Sequence, residues 1–284
     1  MSLNTAAPSP STSAALPTIA FIGGGNMASA IIGGLIRQGH PASQIEVVEP
    51  YAPTREALRK NFGLAAQPEA GPALQRASIV VWAVKPQTFK DAAAQAKAHT
   101  QQALHLSVAA GIRSDSIAQW LGTERIVRTM PNTPALVGKG MSAIYARPAV
   151  TSAERQSVEA IMASTGEFLW VESETQLDAV TALSGSGPAY VFYFLEAMTR
   201  AGVGMGLTEA QAHQLAVGTF VGASELARRS HEPPAVLRER VTSKGGTTYA
   251  ALQSMEASGV SQAFEAAMRA AEKRANELGN EFGS

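Results

Sequence analysis

The chain has 284 residues, with 23 basic and 23 acidic side chains, 45% hydrophobic residues and no cysteine. At roughly 100 to 200 residues per domain, this length indicates two domains. The balanced charge argues against a nucleic-acid footprint and against a polybasic membrane surface. The lack of cysteine excludes disulfide frameworks, thiolate zinc sites, iron–sulfur clusters and cysteine nucleophiles.

The first residues are rich in Ser, Thr, Pro and Ala, and the first basic residue is Arg37. A signal peptide would begin with a basic region, so we expect a disordered tail over residues 1–16 and a cytoplasmic protein. No apolar run approaches the roughly 18 residues of a membrane span, so we expect no membrane association.

From residue 17 onwards, short apolar runs alternate with segments of helical spacing. Alternation of this kind predicts a parallel sheet covered by helices on both faces, here over residues 17–173. The predicted strands are TIAFIG, IEVVEP, SIVVWAV, ALHLSVAAG, RIVRTMP, SAIYA and EFLWV. The predicted helices are NMASAIIGGLIRQG, PTREALRKNFG, PQTFKDAAAQAKAH, SDSIAQWLG and TSAERQSVEAIMASTG.

Strand patterns disappear after residue 173, and residues 174–279 are predicted to form an all-α domain. Its helices carry apolar side chains on more than one face, among them Phe192, Phe194 and Leu215. A domain of this size cannot easily bury so many of them by itself. A compact bundle core and a dimer interface are both compatible with the pattern, and we favour a homodimer.

The first predicted strand runs into a glycine-rich turn that opens a helix. Gly23, Gly25 and Ala28 fit the pattern G-x-G-x-x-A, with Asn26 and Met27 at the intervening helical positions. The first glycine permits a tight turn, and the second lets the backbone approach a pyrophosphate. The following helix N-terminus supplies amide donors and a positive dipole. The turn therefore predicts a dinucleotide cofactor.

Which nicotinamide cofactor binds is open from these residues. Glu49 ends the second strand, where an acidic side chain can hold a ribose 2′-hydroxyl and repel a 2′-phosphate, which favours NADH. Arg55 follows closely, with Tyr51 and Thr54 nearby, so NADPH stays compatible. A solvated strand end is the alternative for Glu49.

Three further loops follow the carboxyl ends of strands, where ligands of a parallel sheet bind. Lys85 and Pro86 follow the third strand, and the small residues Ala109, Ala110 and Gly111 follow the fourth. Lys85 suits a solvated cap better than a ligand contact. Asn132 lies between two prolines after the fifth strand, where either a rigid turn or a cofactor contact fits.

The helical half contains two glycine-rich segments. Ser186, Gly187 and Pro188 lie where a new helix begins. The loop Gly245–Thr248 precedes another helix, and its exposed amides would bind an anion such as a substrate carboxylate. A capped helix start is the equally weighted alternative on spacing alone.

The histidines give no metal-ligand pattern, because the five of them occupy unrelated contexts without HExxH spacing. The glycine-rich loops offer hydroxyls and amides in place of a general base. Such a site suits reduction of a protonated carbon–nitrogen double bond, for which the protein mainly positions the reactants.

Six motifs taken together resemble the pyrroline-5-carboxylate reductase family in order and spacing. They are FIGGGNMA (21–28), AVKP (83–86), SVAAG (107–111), RTMPNTPA (128–135), LSGSGPAY (183–190) and GGTT (245–248). The resemblance implies NAD(P)H-dependent reduction of 1-pyrroline-5-carboxylate to L-proline. It also implies a Rossmann domain followed by a helical domain, joined into a dimer and often into a decamer of five dimers.

The resemblance also implies roles for individual residues. Thr248 would be catalytic, near the ring nitrogen, and the loop carrying it usually acts in the partner's site. Substrate would be bound by Gly246, Thr247, Thr248, Ser186, Gly187 and Pro188. Cofactor would be bound by Gly23, Gly25, Asn26, Met27, Ala28, Glu49, Ala83, Val84, Lys85, Pro86, Ala109, Ala110, Gly111, Asn132 and Pro134. Lys244 departs from the family, which commonly has proline there.

Overall fold

The computed structural model describes residues 16–283, and the tail predicted over residues 1–16 lies outside them except for Leu16. Within the described range, seven strands form one sheet in the order β2-β1-β3-β4-β5-β6-β7. They are β1 (Ile19–Ile22), β2 (Ile45–Val48), β3 (Ile79–Trp82), β4 (Leu104–Ser107), β5 (Ile126–Met130), β6 (Gly140–Ala146) and β7 (Gly166–Trp170).

The inner strands are apolar throughout because helices cover both faces of the sheet. All four residues of β1 and of β3 are buried, as expected for parallel strands between two helical layers. The chain reverses its direction of winding between β1 and β3. Ligands of open α/β sheets bind at such a switch point, beyond the carboxyl ends of the strands.

The sheet is parallel, as predicted, except at one pairing, because β6 runs antiparallel to β5. Residues 131–139 alone join these two strands, with a 3-10 turn at Thr133–Val137. A parallel pairing requires a crossover of about a dozen residues or more, which this connection does not provide. A full helix joins β6 to β7, and that pair is parallel.

Five helices pack on the sheet and enclose two apolar clusters, one on each face. The last of them begins with a capping box formed by Thr151 and Glu154. The helices are α1 (Asn26–Arg37), α2 (Ala52–Phe62), α3 (Pro86–Ala96), α4 (Ser114–Leu121) and α5 (Ser152–Ala163).

The remainder of the described chain is helical, as predicted. The helix α6 (Gln176–Val180) runs directly into a π-helical turn, Thr181–Gly185, that was not predicted. The longer helices are α7 (Gly187–Gly204), α8 (Glu209–Arg229), α9 (Pro234–Arg240), α10 (Thr247–Ala257) and α11 (Val260–Glu281). No helix within residues 16–283 is long and apolar enough to cross a membrane.

The helices α7 to α11 bury no side chain larger than alanine within one chain. Their buried residues are Gly202, Ala212, Ala216, Ala275 and Gly279. Large apolar side chains are exposed instead, including Phe192, Tyr193, Leu215, Val221 and Leu226. Each such side chain contributes about 1.5–3 kcal/mol when it is fully buried. These helices therefore require a covering surface.

A buried histidine lies inside the sheet beside the largest aromatic side chain. The Trp82 Nε1 donates a hydrogen bond to His105 Nδ1 at 3.0 Å, and Trp82 stacks on Phe89. Burial, together with the positive charge of Arg125, lowers the pKa of His105 to about 4. The imidazole is therefore neutral at physiological pH.

The stability of the fold should depend on pH through His105. Its folded pKa of about 4 lies below the unfolded value of 6.5, so unfolding takes up a proton between these values. The stabilisation by neutral His105 is complete above 6.5 and is lost as the pH falls towards 4, by at most about 3 kcal/mol. Urea unfolding at about pH 7 and about pH 4.5 should show a smaller loss for His105→Gln than for the wild type. An equal loss in both proteins would contradict this assignment.

The exposed apolar faces predict a dimer in solution. Light scattering should give a particle of at least twice the 29.6 kDa chain mass, because a second copy can cover α7 and α8. Val221→Glu combined with Leu226→Glu should lower the particle mass and the Tm. Tyr51→Glu is the matched control, since Tyr51 is equally exposed but lies in the sheet domain. A wild-type monomer at assay concentration would refute the prediction.

Candidate active site

The turn between β1 and α1 lies at the switch point of the sheet. Gly23 has a φ of +94°, and a Cβ there would lie 2.5 Å from the carbonyl oxygen of Ala83. Its N–H donates to the Val48 carbonyl at 2.8 Å. Only glycine fits both the backbone angle and the close approach. The ends of β1, β2 and β3 therefore meet at Gly23.

The N-terminus of α1 is open. No side chain caps it, and its first turn contains no acidic residue. Gly25 and Asn26 are exposed, and a Cβ at Gly25 would have no heavy atom within 4 Å. The first amides of a helix bind anions through hydrogen bonds and the helix dipole. The space and the donors fit the pyrophosphate of a dinucleotide.

Glu49 is buried and hydrogen-bonded, so the alternative of a solvated strand end is wrong. Its Oε2 accepts from the Gly24 N–H and its Oε1 from the Tyr51 N–H, both at 2.8 Å. Arg55 Nη1 donates to the carbonyls of Glu49 and Pro50, at 2.9 and 2.6 Å. The carboxylate thus fixes the glycine-rich turn, and a guanidinium lies beside it.

The loops after β3 and β4 also lie at the carboxyl ends of the strands. Lys85 is the N-cap residue of α3 and is exposed, as expected for a solvated cap. Ala83, Val84 and Pro86 are partly accessible around it. After β4, Ala109 is buried and donates from its N–H to Ser107 Oγ at 3.3 Å. Ala110 and Gly111 follow without large side chains and are partly exposed, and Leu278 of α11 packs against Gly111.

Asn132 joins the sheet domain to the helical half. Its Nδ2 donates to the Ser184 carbonyl at 3.1 Å, and its Oδ1 accepts from the Met141 N–H at 3.0 Å. The amide nitrogen and the amide oxygen of this buried side chain are therefore both hydrogen-bonded to the backbone. The side chain sets the distance between the loop after β5 and the π-helical turn.

A cleft of about 420 Å³ lies at this junction. It is lined by Asn132 and Pro134 from the cofactor-side prediction and by Gly187 and Pro188 from the substrate-side prediction. Ser186 is not part of the lining, and its N–H donates to the Thr181 carbonyl at 2.8 Å. The structure therefore brings two separately predicted segments to one cavity.

Sequence reasoning missed the aromatic wall of this cleft. The wall consists of Tyr190, Phe194, Phe220 and Phe264. Tyr190 and Phe194 both contact Phe264 edge-on, with ring centroids 5.5 and 5.7 Å apart. The spacing of four between Tyr190 and Phe194 puts them on one helix face and was a signal for the wall. Phe220 and Phe264 come from other helices, which the sequence does not place.

The loop Gly245–Thr248 lies elsewhere in the same chain. The Gly246 N–H donates to the Ser243 carbonyl at 2.9 Å, and Gly245 has a φ of +75°, which together make a type II turn. Lys244 occupies the turn position that favours proline. Thr247 and Thr248 are exposed at the uncapped N-terminus of α10, and neither lines the cleft.

The arrangement offers amides, hydroxyls and apolar walls. Within residues 16–283, no group of three or more His, Asp or Glu side chains is arranged to hold a metal ion. The geometry suits binding and orientation of a small ring beside a cofactor, with the developing charges met by backbone dipoles.

Two family models match the chain. Residues 174–278 match the model described as pyrroline-5-carboxylate reductase dimerisation. Residues 18–111 match the model described as NADP oxidoreductase, coenzyme F420-dependent. The first covers the helices with exposed apolar faces and supports the predicted dimer, and the second covers the glycine-rich turn.

Curated relatives and solved structures agree with these matches. The pyrroline-5-carboxylate reductase of Pseudomonas aeruginosa is 44% identical, over 94% of this chain and 98% of the relative. That of Synechocystis is 38% identical, over 92% and 98%. The structure of a pyrroline-5-carboxylate reductase from Coxiella burnetii superposes with a TM-score of 0.85 at 36% identity, covering 92% and 98%. A Plasmodium falciparum pyrroline carboxylate reductase with NADP bound gives 0.84 at 28%, covering 93% and 99%.

These findings confirm the fold class, a sheet domain of Rossmann type followed by helices. The reductase activity and the use of NADPH or NADH, both predicted from the motif series, are also confirmed. Identity above one third over nearly the whole chain leaves one assignment: the chain belongs to the pyrroline-5-carboxylate reductase family.

Proposed function

We propose that the chain reduces 1-pyrroline-5-carboxylate to L-proline in the cleft at the domain junction. The observation that carries the proposal is that Asn132 and Pro134 face Gly187 and Pro188 across one cavity. The product forms when the imine carbon gains a hydride and the ring nitrogen retains a proton. Bound NADPH or NADH supplies that hydride from nicotinamide C4.

On the cofactor side, the open N-terminus of α1 holds the pyrophosphate through the amides of Asn26, Met27 and Ala28. Gly25 leaves room for this approach, and Gly23 keeps the turn against β3. The loops 83–86 and 109–111 flank the nicotinamide, the second of them with small residues only. Asn132 and Pro134 close the same side from the loop after β5.

On the substrate side, Gly187 and Pro188 shape the floor of the pocket, and Ser186 precedes them without lining it. The amides of Thr247 and Thr248 hold the substrate carboxylate, whereas the Gly246 N–H is occupied by the Ser243 carbonyl and fixes the turn. The Thr248 hydroxyl orients or donates to the ring nitrogen. The exposed, uncapped N-terminus of α10 supports this carboxylate site, because its first amides have no partner within the helix. Because this loop does not line the cleft of its own chain, we propose that it completes the cleft of a second copy.

Both nicotinamide cofactors remain in the proposal. Glu49 presents a carboxylate at the position that accepts a ribose 2′-hydroxyl. Arg55, whose guanidinium donates to the backbone carbonyls of Glu49 and Pro50, suits a 2′-phosphate. The ratio of NADPH to NADH turnover, measured in parallel, determines which group decides the preference.

The assembly and the domain limits belong to the same proposal. The dimer is supported by the match over residues 174–278, and we extend it to a decamer of five dimers. The cofactor domain is placed at residues 17–173, and the dimerisation and substrate domain at 174–279. The cytoplasm is the proposed location, since the reaction consumes the same reduced nicotinamide cofactors as other biosynthetic reductases.

Removing the Thr248 hydroxyl should slow reduction. We expect Thr248→Ala to lower kcat/KM by about 10- to 100-fold, as for loss of one polar group that acts in the transition state. Thr248→Ser keeps the hydroxyl and should retain most of the activity. The assay follows nicotinamide absorbance with 1-pyrroline-5-carboxylate. Wild-type kcat/KM in the alanine variant would remove Thr248 from the mechanism.

Adding one methyl group at Gly25 should weaken cofactor binding without unfolding the protein. Gly25→Ala meets no neighbour and has an ordinary backbone conformation, but its Cβ occupies the approach to the pyrophosphate. We expect the Kd for NADPH, measured by fluorescence titration, to rise about tenfold or more. Gly71→Ala adds a methyl group in equally open space before β3 and should leave the Kd unchanged. Equal Kd values in both variants would place the cofactor elsewhere.

A further inference from the structure

A set of charged and polar side chains joins the sheet domain to the helical half. We name it the junction cluster. Its members are Arg113, Ser114, Arg128, Glu174, Asp178 and Asn276.

One half of the junction cluster is centred on Asp178 in α6. Arg113 donates through two nitrogens, from Nη1 to Oδ1 at 3.3 Å and from Nη2 to Oδ2 at 2.8 Å. Asn276 of α11 donates to Oδ2 at 3.3 Å. The paired guanidinium contact fixes orientation as well as distance. Asp178 therefore ties α6 to the loop after β4 and to the last helix.

The other half is centred on Glu174, which precedes α6. Its Oε1 accepts from the Ser114 N–H at 2.6 Å and from Arg128 Nη1 at 2.5 Å. Its Oε2 accepts from Ser114 Oγ at 2.6 Å. Arg128 belongs to β5 and is almost fully buried. Burial lowers the pKa of its guanidinium, and the charge of Glu174 opposes that effect.

Three members of the cluster lie close in sequence to walls of the proposed site. Arg113 follows the loop Ala109–Gly111, and Arg128 precedes Asn132 on β5. Asp178 precedes the π-helical turn that carries Ser184. The cluster therefore connects the two cofactor-side loops to the substrate-side segment through charge-assisted hydrogen bonds.

We propose that the junction cluster sets the separation between cofactor and substrate, so that Asp178 and Glu174 are positioning residues for hydride transfer. The inference rests on the proposed function and adds residues that touch neither ligand. A misplacement of about 1 Å can reduce the rate roughly a hundredfold when two reactants must meet at a fixed distance. The ion pairs of the junction cluster hold the loops that would carry the cofactor and the substrate, so they affect the rate of hydride transfer.

The test compares turnover, hydride transfer and cofactor binding in Asp178→Asn. The amide side chain keeps the shape of Asp178 but loses the charge that pairs with Arg113. We expect kcat with 1-pyrroline-5-carboxylate and NADPH to fall about 10- to 100-fold. The Kd for NADPH should change less than about twofold, because the turn at α1 is untouched. The isotope effect from NADPH deuterated at C4 should increase as hydride transfer becomes slower than product release.

Arg113→Lys provides a second, milder variant in case Asp178→Asn does not fold. It keeps the positive charge and loses the two-pronged contact, and we expect a smaller fall in kcat with the same unchanged Kd. Glu154→Gln is the matched control. This variant weakens the ion pair between Glu154 and Arg125, whose Nε lies 2.7 Å from Glu154 Oε1. Arg125 directly precedes β5, at the end of the strand opposite to the loops of the site.

The outcomes separate the possible roles. A fall in kcat and a raised isotope effect in the junction variants, with Glu154→Gln unchanged, support the positioning role. Lower Tm values in all variants with unchanged kcat would reduce the cluster to a structural role and overturn the inference. No turnover by the wild type in the same assay would instead reject the proposed function on which it rests.

Discussion

The helices α7 to α11 cannot bury their apolar faces within one chain, and both the assembly and the active site depend on this constraint. Their buried residues are all glycine or alanine, while side chains as large as Tyr193 and Leu226 stay exposed. Association of two copies removes that surface from water. The same association offers a place for the exposed loop before α10. In this proposal, formation of the dimer therefore both stabilises the helices and completes the active site.

The sheet domain, by contrast, is complete within one chain, and buried polar contacts hold the loops at the carboxyl ends of its strands. Glu49 fixes the glycine-rich turn, Asn132 fixes the loop after β5, and Arg128 anchors Glu174 ahead of α6. None of these side chains needs to take part in bond making. Holding reactants at a fixed distance can itself account for much of a rate enhancement. A protonated imine needs little more than this, because its carbon already accepts a hydride.

The sequence predicted the elements and the motifs well, because both are local. Runs such as IVVW in β3 identify buried strands, and the glycine pattern from Gly23 to Ala28 identifies a phosphate turn. It did not predict that β6 runs antiparallel, since direction depends on the length of a connection and not on a pattern within the strand. Contacts between distant residues were also missed. Glu174 and Ser114 are 60 positions apart, and Phe264 reaches the cleft from the last helix.

The claim that two chains build each site is tested most directly with a hybrid dimer. One subunit carries Gly25→Val, which blocks its cofactor turn, and the other carries Thr248→Ala. Two different affinity tags isolate the hybrid after co-expression. If the loop before α10 acts in the partner's cleft, one of the two sites is intact, and the hybrid should regain about half of the wild-type activity. Activity no higher than that of the two parent variants would show that each chain builds its own site, and would contradict the account.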